Sequence, residues 1–236
     1  MLRYARITAA IVGTLALLGA VGWLAVGSPW LRYQRLDIVG NDRADGVQLR
    51  HLARLPEGEA LVLLDLRGAL AGVERHPWVK RATASRRFPN AVVIEVVERT
   101  PVALVQLEGL YLVDEEGTLF ARASGGDLDH PILSGLDPAL LTAQPELSRR
   151  LVRAGLDWLA AAQAQGGLAE ADISALHFDA KTGYTLYLRN GGEVLVGFTG
   201  NERVARLSML TARGLDLRTP HRVDLASDRV AVVTPL

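Results

Sequence analysis

His76-Pro77-Trp78-Val79-Lys80-Arg81-Ala82-Thr83-Ala84-Ser85-Arg86-Arg87-Phe88-Pro89-Asn90-Ala91-Val92-Val93-Ile94-Glu95-Val96-Val97-Glu98-Arg99-Thr100-Pro101 is the stretch whose reading decides the fold. Pro77 lacks an N–H and clashes with a preceding helical turn, so a helix is predicted to end there. Val79 to Arg86 reads as a strand, and Phe88-Pro89-Asn90 as a break between β-favouring runs. Ala91 to Glu98, rich in Val and Ile, suits a second strand that is pleated and largely buried. Pro101 closes the unit.

Working back from this stretch, Leu36 to Val39 alternates and runs into Gly40-Asn41, a strand followed by a turn. Asp45 can cap a helix reaching Arg54, with Val47, Leu52 and Leu55 as a partial apolar face. Pro56-Glu57-Gly58 breaks it. Asp65 can cap a second helix, in which Leu66, Leu70 and Val73 follow i, i+4, i+7 spacing and so share one face. The predicted order is β-α-α-β-β over residues 34–100, close to the lower size limit for a domain that folds alone.

Before it, Ile7 to Val26 is twenty residues without a charge. As a helix it would cover ~30 Å, about one hydrocarbon core. Trp23 and Trp30 stand near its outer end, where amphipathic rings favour the interface. A cleaved signal peptide competes, since Ala25-Val26-Gly27 could be a cleavage site. The run exceeds the usual apolar core of about 7–15 residues, so a retained span over 7–27 is the expectation. Arg3 and Arg6 precede it but Arg32, Arg35 and Arg43 follow, so charge alone does not orient it.

Beyond Pro101 the pattern turns strand-rich. Val102 to Leu107, Leu110 to Val113 and Thr118 to Ala123 are short apolar runs, the last two joined by a hairpin loop at Asp114-Glu115-Glu116-Gly117. Residues 124–145 read as loop. Glu146 to Ala164 is predicted helical, with Leu147, Leu151, Ala154 and Trp158 on one side and Gly166-Gly167 at its end. Ile173 to Phe178 is a strand. Tyr184 to Arg189 and Glu193 to Val196 form a hairpin across Asn190-Gly191-Gly192. Asn201 can cap a helix to Arg213 carrying Val204, Leu207 and Leu210. Two short strands, Arg222 to Leu225 and Arg229 to Val233, flank Ala226-Ser227-Asp228 and stop at Pro235.

Composition narrows function. Net charge is zero, from 26 basic and 26 acidic residues, which argues against a nucleic-acid backbone as ligand. The absence of Cys excludes disulfides, thiolate nucleophiles and Cys-ligated zinc. A mean hydropathy of +0.17 is high for a wholly soluble chain and fits an apolar segment. Among His51, His76, His130, His177 and His221 none forms a His-Glu-x-x-His pattern. Asp127-Leu128-Asp129-His130 is the best metal candidate, although a solvated acidic loop explains it more simply. Glu95 and Glu98 are three positions apart in a strand, an odd offset, and so face opposite ways, unable to act as an acid/base pair. No nucleophile elbow, Walker loop or dinucleotide fingerprint occurs. No catalytic residue, cofactor or metal is therefore expected. Lys80-Arg81 and Arg86-Arg87 read as a solvated face, or as a contact for anionic lipid or an acidic partner. Trp78, Phe88 and Trp158 read as core.

Binding has more support than catalysis. The run Arg229-Val230-Ala231-Val232-Val233 would be a sheet edge if it is the last strand added, and an edge offers unpaired backbone groups to another chain's strand. A protected or internally paired strand is the alternative. Added backbone hydrogen bonds at ~1 kcal/mol each supply only a few kcal/mol. Association costs about 4–15 kcal/mol, so side-chain anchors are required. The candidate partner-binding residues are Arg222, Leu225, Ser227, Asp228, Arg229, Val230, Ala231, Val232 and Val233. Val232→Glu or Ala231→Pro is expected to abolish capture and leave the fold intact.

Several of these residues together resemble the FtsQ/DivIB family of bacterial cell-division proteins, and the resemblance covers the whole chain. It rests on Pro77-Trp78-Val79, Phe88-Pro89, Glu98-Arg99-Thr100-Pro101-Val102-Ala103 and Leu112-Val113-Asp114-Glu115-Glu116-Gly117. Val196-Gly197, the helix 202–210, Val223-Asp224-Leu225 and Val230-Ala231-Val232 continue it. Phe88 stands where the family commonly has Trp, preserving an aromatic packing role, and Ala226 where Arg often follows Asp-Leu. The resemblance implies an α+β fold: a cytoplasmic tail over 1–6, a transmembrane helix over 7–27, and a βααββ POTRA domain over 34–100. A mixed α/β domain dominated by an antiparallel sheet would then cover 101–236. It further implies a non-enzymatic divisome scaffold in the inner membrane, N-terminus in the cytoplasm and bulk in the periplasm at the septum, whose end pairs with FtsB, itself in complex with FtsL. A POTRA-bearing secretion or envelope-assembly component that handles client polypeptides is the alternative, disfavoured because no β-barrel signature follows. An anchored periplasmic enzyme would need a site that the residues do not supply.

Overall fold

The computed structural model describes residues 11–17, 19, 28–165, 168–198, 201–227 and 231–236. The chain divides into two compact units, Met1–Arg99 and Thr100–Leu236.

In the first unit the strand β1 (Arg35–Val39) leads to α1 (Gly46–Ala53), α2 (Leu66–Val73), β2 (Val79–Arg87) and β3 (Ala91–Glu98). Both helix starts are set by aspartates. Asp45 accepts from the Val47 N–H at 2.9 Å and Asp65 from the Gly68 N–H at 3.0 Å, each satisfying a donor that the first helical turn leaves orphaned. The sheet order is β1-β3-β2, with β1 parallel and β2 antiparallel to β3. Central β3 buries Val92, Ile94 and Val96, and the helices contribute Leu49, Ala53, Ala69 and Val73 to the same core. The helices pack closely because of Gly72: a Cβ there would stand 2.1 Å from the Leu52 carbonyl oxygen.

Two expectations are corrected here. The helix α2 stops at Val73, before Pro77, and Glu74 at its end turns to accept the Ala82 N–H at 3.1 Å, which ties the helix end to β2. Phe88 is not core but 60% exposed, in the turn after β2 that contains a cis Phe88–Pro89 peptide bond. The register ends at Arg87↔Ala91, so the chain has already turned away from the core. Arg86, on the face of β2 that carries Ala82 and Ala84, is exposed, and its guanidinium donates to the carbonyls of Leu61 and Leu64, both at 2.8 Å. Arg86 is therefore a structural clamp, although it remains exposed as expected of a basic face. Of the expected span over 7–27, residues 11–17 are helical with Ile11, Val12, Leu15 and Leu17 exposed. The rest of that span, position 19 apart, lies outside the described residues, and among the described residues no helix is long and apolar enough to cross a membrane.

The second unit is a nine-stranded sheet in the order β12-β11-β10-β9-β8-β7-β4-β5-β6. Its strands are β4 (Pro101–Gln106), β5 (Leu110–Asp114), β6 (Leu119–Arg122), β7 (Ile132–Ser134), β8 (Ile173–Asp179), β9 (Gly183–Leu188), β10 (Glu193–Gly197), β11 (His221–Asp224) and β12 (Val232–Pro235). Helices α3 (Pro138–Ala143), α4 (Pro145–Gln165) and α5 (Asn201–Ala212) complete it. Antiparallel pairs predominate, but β4–β7, β7–β8 and β10–β11 are parallel. The fold is mixed α/β, as expected.

Two details differ from expectation. Residues 124–145 are not merely loop. They contain a 3-10 turn, α3 and β7, which joins β4 to β8 at the middle of the sheet. Three residues carry no periodicity to detect, and β7 exists only because it is paired on both sides. Helix α4 buries Ser148, Val152, Leu156, Trp158, Leu159 and Ala162, while Leu147 and Ala154 of the expected stripe are exposed. The buried stripe is offset by one residue, about 100° around the helix. Gly155 accounts for this: a Cβ there would be 3.0 Å from the Leu133 side chain, so the helix approaches β7 through its glycine.

Candidate partner-binding edge

The end of the chain is built on the β9–β10 hairpin. Tyr184 on β9 is buried, which pushes its phenol up to about 12, and its hydroxyl donates to the Leu151 carbonyl of α4 at 2.9 Å. From β10 the chain crosses by α5, which buries Val204 and Leu207, and returns as β11 parallel to β10. Val223 and Leu225 are fully buried, and the Leu225 N–H donates to the Leu195 carbonyl at 2.9 Å. The turn after β11 is held by Asp224, which accepts the Ala226 N–H at 2.8 Å. Arg206 of α5 donates to the Ser227 carbonyl.

The strand β12 then pairs antiparallel with β11: His221↔Pro235, Arg222↔Thr234, Val223↔Val233 and Asp224↔Val232. Among the described residues it has no second neighbour and ends the strand order. Its hydrogen-bonding phase follows from one contact, the Leu236 N–H to the Pro220 carbonyl at 3.2 Å. Antiparallel ladders alternate, so Thr234 and Val232 also point their backbone groups toward β11. The N–H and C=O of Val233 and the C=O of Pro235 point outward. Pro235 offers no donor and is tolerated because it stands on an edge.

The predicted residues thus divide. Val232 is 54% and Val233 39% exposed on the open strand, and Ala231 is half-buried against the core. Leu225 is corrected from contact residue to core, because β11 turns it inward as part of the second unit's apolar cluster. Arg222 is exposed but ion-paired with its cross-strand neighbour Glu193 at 3.1 Å. Asp228, Arg229 and Val230 lie outside the described residues, and the strand expected over 229–233 is observed at Val232–Pro235. Reasoning from sequence passed over Phe198, 60% exposed just after β10, and Leu236, 63% exposed. A Cβ at Gly197 would approach the Ala226 Cα at 3.8 Å, so Phe198 follows a residue that abuts the β11–β12 turn. A lone aromatic after a glycine carries no periodic signal.

The other candidates have local roles. Asp127 is buried and accepts the Ser124 N–H at 3.2 Å, and His130 pairs with Glu170 at 3.0 Å. Among the described residues no group of three metal-ligating side chains converges. Glu98 accepts from the Arg43 and Ala44 N–H groups, at 3.0 and 2.7 Å, holding the loop before α1. Arg43 in turn stacks 4.6 Å from the Trp78 ring centre.

Residues 31–99 match the family model described as POTRA domain, FtsQ-type, and residues 103–226 match Cell division protein FtsQ/DivIB, C-terminal, a match that stops before β12. A cell division protein FtsQ of Anaeromyxobacter sp. (strain K) is 36% identical over 235 residues, covering 94% of this chain and 79% of that one. The corresponding protein of Myxococcus fulvus is 36% identical over 201 residues, covering 82% and 70%. That of Streptomyces coelicolor is 34% identical over 130 residues, covering 54% and 49%. With both units matched in order and relatives aligned over most of its length, this chain belongs to the FtsQ/DivIB family of cell-division proteins.

Proposed function

We propose that this cell-division protein is a non-enzymatic scaffold, held in the inner membrane by residues 7–27 with both units in the periplasm at the septum. There it recruits FtsB and FtsL, in part by adding a strand of FtsB to β12. The observation that carries this reading is the open side of β12, where Val233 presents its N–H and C=O and Pro235 its C=O. One donor and two acceptors contribute roughly 3 kcal/mol at ~1 kcal/mol per bond. That is below the ~4–15 kcal/mol cost of association, so apolar anchors must supply the remainder. Val232, Phe198 and Leu236 are exposed at this end of the sheet. The exposed apolar side chains of residues 11–17 support the membrane anchor.

Val233→Pro tests the proposal most directly. It removes an outward donor and leaves the ladder to β11 intact, so the protein should unfold at the wild-type temperature yet lose FtsB in a pull-down. Val232→Glu should do the same by placing a charge among the anchors. Full-strength capture by either folded variant would sink edge pairing.

A further inference from the structure

Of the exposed large apolar side chains that follow residue 27 in the first unit, Val39, Val47 and Val97 stand apart from the chain's entry. Four lie near it: Trp30 is 80% exposed, Leu63 61%, Phe88 60% and Val62 45%. Scattered singly they would need no explanation. Backbone contacts bring their segments together, however. The Leu61 N–H donates to the Leu31 carbonyl at 2.8 Å, Arg32 bridges Ala60, and the Gln34 N–H donates to the Asn90 carbonyl at 2.9 Å. Arg86 spans from β2 to the carbonyls of Leu61 and Leu64. The chain's entry, the 60–64 turn and the β2–β3 turn therefore form one end of the unit. Arg32, Arg35, Arg86 and Arg87 belong to this end, together with the acidic Asp37, Glu57 and Glu59.

This is the end at which the chain arrives from residues 7–27. Trp30 is three positions from residue 27, a reach of at most ~10 Å. From there β1 and β3 run away in parallel. The chain thus leaves for the second unit from the opposite end, ~26 Å further along eight strand residues. Residues 28–99 hold 12 basic against 9 acidic side chains.

We infer that this end of the first unit is a membrane-docking surface. Phe88, Leu63, Val62 and Trp30 enter the headgroup boundary of the bilayer crossed by residues 7–27, and Arg32 and Arg87 meet the phosphates of anionic lipids. Aromatic rings favour that boundary, and apolar area combined with basic charge is what holds a surface there. The inference rests on the anchor reading and deepens it.

The chain has no cysteine, so single probes can be placed on the full-length protein. Leu15→Cys, Leu63→Cys, Phe88→Cys and Met209→Cys, each labelled with a fluorophore, are reconstituted in phosphatidylcholine–phosphatidylglycerol vesicles with brominated acyl chains. Probes at 15, 63 and 88 should be quenched and the probe at 209 should not. Adding Phe88→Asp, at an exposed position where folding is retained, should relieve quenching at 63. Quenching at 15 with none at 63 and 88 overturns the docking surface while the anchor stands. No quenching at 15 overturns the anchor reading and the docking surface with it. Equal quenching at 88 in vesicles of phosphatidylcholine alone overturns the role given to the arginines.

Discussion

The nine-stranded sheet has two ends, and they are finished differently. At one end β6 keeps Leu119, Phe120 and Ala121 half-buried, and Arg122 folds back on Tyr111, its Nε donating to the hydroxyl at 3.2 Å. At the other end all four residues of β12 are exposed. The first edge is anchored by side chains, whereas the second is held mainly by its ladder to β11. A strand held in this way adds little burial to the fold and leaves its outer backbone groups available.

The strongest way to break the contrast is to act where the two ends meet. Leu133 on β7 is fully buried between β4 and β8 and under Gly155 of α4. Leu133→Ala should cost about 2–5 kcal/mol in denaturant unfolding and loosen both edges in one transition. Separate melting of the β6 and β12 ends would show that β7 does not unite the sheet. Thr234→Pro should be milder, about 1–3 kcal/mol, because it removes an inward ladder donor. In hydrogen exchange it should unprotect β11 and β12 and leave β5 and β6 unchanged, in contrast to Val233→Pro, which spares the ladder. The smallest effect sharpens the support beneath the open end. Tyr184→Phe loses one hydrogen bond, about 1 kcal/mol below pH 10. The folded phenol is raised to about 12 from its ordinary 10, so its contribution is complete below pH 10 and is lost as pH rises toward 12. The wild-type protein should therefore lose its advantage within that window and fall below the Phe variant, which does not titrate there, as read by urea titrations at each pH.

How much of this was legible depends on the range of the forces involved. The asparagine-glycine-glycine hairpin at residues 190–192, the aspartate caps at Asp45 and Asp65, and the buried strand Ala91–Glu98 are local patterns, and each was readable. The strand β7, the one-residue offset of the α4 face and the inward turn of Leu225 were not, because each is set by a neighbour distant in sequence. Arg86 and Phe88 show the same divide within two residues. The arginine is held by carbonyls of the 61–64 turn, and the aromatic is outward because pairing has ended.

By itself the sequence determined the β-α-α-β-β order of the first unit and the family, since turns, caps and hydrophobic periods act over a few residues. Only the tertiary structure decided which strand closes the sheet, which backbone groups of β12 face outward and which apolar side chains gather at the entry to the first unit. Those are properties of pairing partners and register, and a strand's sequence does not state what will lie beside it.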